Sequence, residues 1–312
     1  MEEKRKIDAL TENLRSVIFG KDETIRLLLC AFFAGGHVLV EDSPGLGKTS
    51  LARALAGSID GSFRRIQFTS DMLPQDIIGY SVFNPEKRVM EFRKGPLFAN
   101  VVLADEINRT NPKTQAAFLE AMSEGSVTVD AVTHPLPDPF FVIATQNPFE
   151  FHGTFPLPES QLDRFTMKVS LGPPDRESEI RILQEKFRED PISSIRPVLT
   201  PEEVKGLRRI VTEVHVDRSI DEYIVEIVRA TRRSPLIRLG ASPRCAVGLK
   251  KTAAARALIE GRDFVTPDDV KSVARAVVAH RIFLKGDVSI PTGEDPRGKI
   301  VDEILDSTPS PL

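Results

Sequence analysis

The stretch "VLVEDSPGLGKTSLARAL", residues 38–55, decides the fold. A short apolar run ending at Val40 enters a Gly-rich turn, and the turn opens into a helix-forming segment. Strand, loop and helix in that order aim backbone N–H groups and the positive end of a helix at an anion. The spacing follows G-x-x-x-x-G-K-S/T at Gly47, Lys48 and Thr49, but Asp42 stands where the opening glycine belongs. Gly45 and Gly47 let the backbone approach phosphate with no Cβ in the way. Lys48 reaches for the β- and γ-phosphates, and Thr49 places a hydroxyl on Mg²⁺. The nucleotide loop is therefore assigned to Pro44, Gly45, Leu46, Gly47, Lys48, Thr49 and Ser50. Asp42 is expected to turn its carboxylate away from the phosphates, toward a backbone N–H of the loop. On that reading, replacing it by glycine leaves nucleotide affinity equal or tighter.

The neighbouring segments repeat the same rhythm. "FRRIQF", "VVLADE", "PFFVIATQN" and "FTMKVSL" are apolar runs bounded by turns and separated by helical patterns. This predicts an α/β fold with a mostly parallel sheet between helices. Ligands of such sheets sit beyond the carboxyl ends of the strands, so the polar residues ending these runs are site candidates. Upstream, Ile25, Leu28, Leu29 and Phe32 recur at helical spacing and Gly35-Gly36 ends the pattern.

Two segments break the rhythm. "SVFNPEKRVMEFRKGPLF" and "GSVTVDAVTHPLPDPF" alternate and carry turn residues, which predicts two hairpin inserts. After Pro173-Pro174 the chain becomes charged and helical. "LTPEEVKGL" and "VTPDDVKSVARAVVAH" each begin with Thr as N-cap, Pro at N1 and acids in the first turn. The expected division is a nucleotide-binding core over 1–175, a small all-α lid over 176–290 and a loosely ordered tail over 291–312.

Composition limits the function classes. The chain has 312 residues, a net charge of −3, 41% hydrophobic and 28% charged residues. That is an ordinary globular balance with no global attraction to nucleic acid or to an anionic membrane. Cys30 and Cys245 are far apart and lack metal spacing, which fits two buried, reduced thiols in a cytoplasmic protein. The charged start lacks an apolar h-region, and no run approaches the ~18 apolar residues of a membrane helix. The five histidines show no ligand spacing, so Mg²⁺ with the nucleotide is the only metal expected.

"VVLADEINR" supplies the second constellation. Adjacent carboxylates at the end of a buried strand are costly without a cation. Asp105 can hold the magnesium shell, with Thr49, while Glu106 activates the attacking water. In "IATQN", the amide of Asn147 can hydrogen-bond both the γ-phosphate and that water. Arg164 in "LPESQLDRF" and Arg244 in "GASPRC" are candidates for stabilising charge on the transferred phosphoryl group.

The ordered set of loop, "LADEINR", "ATQNP", "PLPESQLDRF" and "GASPR" closely resembles the MoxR family of AAA+ ATPases, over about residues 10–285. The resemblance implies a RecA-like AAA+ core with a helical lid and ATP/ADP with Mg²⁺ as cofactors. By that resemblance Asn147 is sensor 1, Arg164 the arginine finger acting on a neighbour's ATP, and Arg244 sensor 2. "VIFGKDE" resembles the adenine-contacting segment, through Ile18, Phe19 and Gly20. A finger in trans implies a homo-oligomer, a hexameric ring. Client proteins, and a partner bearing a von Willebrand factor A domain, are further implied.

The leading expectation is an ATP-driven, chaperone-like motor. A nucleic-acid motor related to minichromosome maintenance helicases shares the core and the inserts, and Lys87, Arg88, Arg93 and Lys94 lie on the first hairpin. The acidic balance and the lack of an added DNA-binding module weigh against it. A nucleotide-binding scaffold with weak hydrolysis is opposed by the set Lys48, Asp105, Glu106 and Asn147.

Overall fold

The computed structural model describes residues 2–42, 45–147, 153–188, 191–286 and 295–311. Two helices lead, α1 (Glu2–Arg15) and α2 (Asp22–Phe33), followed by β1 (Val38–Glu41), α3 (Lys48–Ser58) and β2 (Phe63–Gln67). A short helix, α4 (Pro74–Ile78), precedes the hairpin β3 (Gly79–Asn84) and β4 (Val89–Lys94). Then come β5 (Val101–Asp105), α5 (Pro112–Glu124) and a second hairpin, β6 (Ser126–Val129) and β7 (Val132–Pro135). The core closes with β8 (Phe141–Gln146), α6 (Glu159–Leu162) and β9 (Met167–Val169).

The five core strands form one parallel sheet in the order β2-β5-β8-β1-β9. The three central strands are buried on both faces, which is why they read as unbroken apolar runs. At the edge, β2 is largely open to solvent: Ile66 is buried while Arg64, Arg65 and Gln67 are exposed. Register sets the site. Gln67 pairs with Asp105, Ala104 with Ala144, and Glu41 with Gln146. The loop after β1, Asp105 at the end of β5 and Asn147 after β8 therefore emerge at one edge of the sheet.

Both hairpins form, as their alternation suggests, and they touch: the Phe92 ring stacks on His134 with centroids 4.0 Å apart. Helix α1 is set by a narrow apolar stripe. Ile7, Leu10 and Leu14 are buried on one face of an otherwise charged helix.

The rest of the chain is helical: α7 (Arg176–Arg188), α8 (Pro201–Glu213), α9 (Arg218–Arg233), α10 (Pro243–Ile259) after β10 (Ile237–Leu239), and α11 (Pro267–Val278). Thr200 and Thr266 cap α8 and α11 in reciprocal boxes with Glu203 and Asp269. Each such cap contributes about 1 kcal/mol. Two features differ from the expectation. The lid is not purely helical, because β10 pairs antiparallel with β11 (Phe283–Leu284). The tail is not loosely ordered over 296–307: α12 (Pro296–Ser307) packs on α11 and buries Ile300, Val301 and Ile304. Its sequence carries three prolines nearby, but Pro296 sits at the first turn, where a missing N–H is harmless. The lid helices and α1, α2 and α3 share one continuous apolar core. Among the described residues no helix is long and apolar enough to cross a membrane.

Candidate active site

At the carboxyl ends of β1, β5 and β8 lies a cavity of about 300 Å³. Gly45, Gly47, Lys48, Thr49 and Ser50 form one wall, and Asp105, Glu106 and Asn147 another. Gly45 and Gly47 take φ of 87° and 90°, and Gly47 caps α3. Residues with a Cβ rarely adopt such angles, so the loop needs glycine at these two places. The α3 N-terminus then presents its unpaired N–H groups to an anion. Leu46 turns inward onto the core instead of lining the cavity. Pro44 lies outside the described residues.

Asp42 is buried, and its carboxylate does point away from the cavity. It accepts hydrogen bonds from Ser170 Oγ at 2.6 Å, from the Leu171 N–H at 2.6 Å and from the Gly172 N–H at 3.2 Å. These N–H groups belong to the segment after β9, not to the loop as expected from sequence. Asp42 is not among the positive-φ positions, so its backbone does not require glycine. Its carbonyl accepts from Lys48 Nζ at 2.9 Å. Asp42 thus ties the loop, its lysine and the strap leading into the lid.

The carboxylates of β5 are held in detail. Thr145 Oγ1 donates to Asp105 Oδ1 at 2.7 Å and accepts from the Glu106 N–H at 2.9 Å. Arg65, from the edge strand, donates to Asp105 Oδ2 through Nε at 3.1 Å and Nη2 at 2.6 Å. Gln67 Nε2 donates to Glu106 Oε2 at 2.8 Å, and Arg109 pairs with the same oxygen at 3.2 Å. Glu106 itself sits in the left-handed region, φ 59° and ψ 50°. A non-glycine residue held there costs on the order of 1 kcal/mol and marks a position fixed by its surroundings. Arg65 and Gln67, which hold the two carboxylates, are candidate site residues that sequence reading missed. Their signal is present in "FRRIQF", where residues 65 and 67 share one face of a strand.

The donor set fits magnesium. A threonine hydroxyl, a carboxylate and phosphate oxygens are hard ligands of the kind Mg²⁺ takes. Thr49 and Asp105 face one cavity, and the Arg65 guanidinium already supplies positive charge to Asp105 there. Among the described residues no group of three or more His, Cys, Asp or Glu side chains could hold another metal ion.

The segment expected to meet adenine lies beside the loop. A Cβ on Gly47 would come within 3.3 Å of Ile18 Cδ1. Ile18, Phe19 and Gly20 line a second cavity of about 290 Å³. The Arg181 guanidinium covers the Phe19 ring at 4.1 Å. Gly20 has φ 67° and a Cβ there would meet Ser178 Oγ, so the close approach of α7 requires glycine.

Arg164 and Arg244 do not line this first cavity. Arg164 Nη1 donates to the Leu119 carbonyl at 2.8 Å and to Ser123 Oγ at 3.1 Å, at the end of α5. Arg244 is exposed in the first turn of α10. Cys30 and Cys245 are buried and unbridged, and burial pushes their thiols up to about 12 and about 11.

Residues 37–167 match the family described as "ATPase family associated with various cellular activities (AAA)", and residues 229–304 match an AAA lid domain. The chain is 51% identical over 273 residues to the protein YeaC of Bacillus subtilis, covering 88% of this chain and 85% of that one. It is 38% identical over 283 residues to a Mycobacterium tuberculosis protein named Chaperone MoxR1, covering 88% of this chain and 74% of that one. A solved structure from Cytophaga hutchinsonii is similar at TM-score 0.91 and 38% identity, over 100% of this chain and 96% of that one.

Proposed function

This chain belongs to the MoxR family of AAA+ ATPases, and from that premise we propose that it couples Mg²⁺-dependent ATP hydrolysis to chaperone-like remodelling of partner proteins. The observation that carries the hydrolytic reading is the convergence of Lys48, Thr49, Asp105, Glu106 and Asn147 on one cavity. Glu106 takes the proton from the attacking water as the water oxygen bonds to the γ-phosphorus. The bond from that phosphorus to the bridging oxygen breaks, and ADP leaves with the electron pair. Asn147 holds the water in line, and Lys48 with the loop N–H groups offsets charge on the phosphoryl oxygens. Magnesium, held through Thr49 and Asp105, would add the Lewis acidity of a hard cation.

The remodelling reading rests on likeness to the protein named Chaperone MoxR1. We assign Arg164 to a neighbouring subunit's nucleotide on the family resemblance of "LPESQLDRF"; in its own chain its guanidinium rests on the end of α5. That assignment implies a ring, which we take to be hexameric, working in the cytoplasm. Arg244 serves as the lid's contact with its own nucleotide, and Ile18, Phe19 and Gly20 hold adenine. Clients, and a partner with a von Willebrand factor A domain, complete the proposal.

The test is Glu106→Gln. The substitution keeps size and hydrogen-bonding capacity but removes the base. ATP affinity should stay within about twofold, while kcat drops by ~10² or more. Wild-type turnover by this variant would falsify the role given to Glu106. Retained binding with captured partners, read by pull-down in the presence of ATP, supports the remodelling reading; a trap that holds no protein beyond itself counts against it.

A further inference from the structure

The lid grips the segment that carries Arg164. Arg281, just after α11, is buried and uses its guanidinium in full. Nε donates to Asp163 Oδ1 at 2.7 Å. Nη1 donates to the carbonyls of Val277 at 2.7 Å and Thr166 at 3.1 Å. Nη2 donates to the carbonyls of Phe165 at 2.8 Å and Asp163 at 3.3 Å. Four of these five bonds end on residues 163–166, which bracket Arg164. The other oxygen of Asp163 accepts from Ser242 Oγ at 3.2 Å. Ser242 is the N-cap of α10, and Arg244 lies in the first turn of that helix. Two further lid contacts reach the same segment: His280 Nε2 bonds the Phe165 carbonyl at 2.9 Å, and Arg238 pairs with Glu159.

Such an arrangement exceeds what docking two surfaces needs. A guanidinium has five N–H donors in a planar fork, and here each one has an acceptor. A desolvated arginine whose counter-ion is removed keeps an uncompensated charge, so the pair Arg281–Asp163 holds a fixed geometry. Asp163 is also the covalent neighbour of Arg164. Its carboxylate therefore joins three things: the lid's end, the cap of the helix bearing Arg244, and the backbone bearing Arg164.

We propose that Arg281 and Asp163 form a positioning node that fixes Arg164 to the helix carrying Arg244, so that movement of the lid re-aims the arginine offered to the neighbouring subunit. This rests on the reading of Arg164 as an arginine finger. A nucleotide event felt by Arg244 in one subunit reaches Arg164 through Ser242 and Asp163, without passing through the sheet. Neither Arg281 nor Asp163 touches nucleotide in this scheme; both act through Arg164.

The experiment uses the full chain with Asp163→Asn, Ser242→Ala and Arg281→Lys, beside Arg164→Ala as reference. Each variant is measured for thermal midpoint, affinity for a fluorescent ATP analogue, and kcat against KM. Asp163→Asn keeps shape but loses the charge on which Arg281 is aimed. We expect analogue affinity within about twofold of wild type, and kcat at least ~tenfold lower, since a displacement near 1 Å in a catalytic group suffices for such a loss. Ser242→Ala should lower kcat in the same direction by less. Mixing then separates positioning from misfolding. Glu106→Gln subunits cannot hydrolyse but offer an intact Arg164, so their addition should restore turnover at the intact sites of Asp163→Asn neighbours.

Wild-type kcat in both Asp163→Asn and Arg281→Lys overturns the node. A loss of kcat that tracks loss of analogue binding and thermal midpoint, with no recovery on mixing while Arg164→Ala does recover, also overturns it. If Arg164→Ala itself turns over normally, or shows no recovery on mixing with Glu106→Gln, the finger reading fails first and takes this inference with it.

Discussion

Replacing Asp42 by glycine restores the common loop pattern, yet the structure argues that it weakens the protein. The carboxylate accepts three hydrogen bonds, and the Leu171 N–H it satisfies is buried. Hydrogen bonds to a charged group contribute about 1.5–3 kcal/mol each. Ser170 can turn its hydroxyl to water, so the loss falls mainly on the two N–H groups. Water entering the vacated space recovers part of it, leaving a net destabilisation of about 3 kcal/mol, within the range of large single-residue effects. Near 2 °C per kcal/mol for a chain this long, the thermal midpoint should fall by ~6 °C. Glycine also frees the backbone whose carbonyl receives Lys48 Nζ at 2.9 Å. ATP-analogue affinity should therefore weaken by about tenfold, equivalent to ~1.4 kcal/mol. The assay is thermal unfolding together with fluorescence titration of the analogue, and Ser170→Ala serves as the second arm of a double-mutant cycle. An Asp42→Gly variant with an unchanged midpoint and equal or tighter binding refutes the reasoning. Strict additivity with Ser170→Ala removes the claim that their contact matters.

Two other outcomes follow from the geometry. On the proposed role of Asp105 as a magnesium ligand, Arg65 is a competitor of the metal ion; its side chain is 49% exposed, so the pair contributes only ~0.2–1 kcal/mol. Arg65→Ala should thus lower the Mg²⁺ concentration for half-maximal nucleotide binding by about two- to fivefold; an increase would show that Arg65 helps to bind the metal ion or the phosphates instead. Acid should destabilise the fold through His37. This buried ring donates from Nε2 to the Met122 carbonyl at 2.9 Å and accepts at Nδ1 from the Val142 N–H at 3.1 Å, so it must stay neutral. Burial lowers its pKa from 6.5 to about 4, and burial lowers that of His280 as well. The unfolded chain therefore binds the protons first, and stability is full above pH 6.5 and declines as the pH falls toward 4. From pH 7 to 5 the urea-derived unfolding free energy should drop by about 2 kcal/mol from His37 alone. A stability that is flat or rises toward pH 5 would contradict this account.

How much of this was legible beforehand differs by residue. Gly45, Gly47, Lys48, Thr49, Asp105, Glu106 and Asn147 are next to their own strands in sequence, and sheet register alone brings them together. The hairpins and the Thr200 and Thr266 caps are equally local, because alternation and capping act over a few residues. Helix α12 was hidden by the prolines around it, since its order comes from packing on α11. The fate of Asp42 could not be read locally: its partners are about 130 positions away, and a carboxylate beside a phosphate loop looks repulsive until those donors are in place.

The amino-acid sequence by itself determined the parallel α/β core, the Gly-rich loop after β1 and the carboxylates at the end of β5, because each depends on short-range periodicity and on residues that end a strand. Only the tertiary structure decided which side chains hold those groups. Arg65 and Gln67 brace Asp105 and Glu106 because β2 happens to pair with β5. Arg281 reaches Asp163 across 118 positions because the lid folds back onto the core. Such contacts are set by the register of strands and the packing of helices, and a guanidinium can satisfy a carboxylate from any place in the chain that packing brings within about 3 Å.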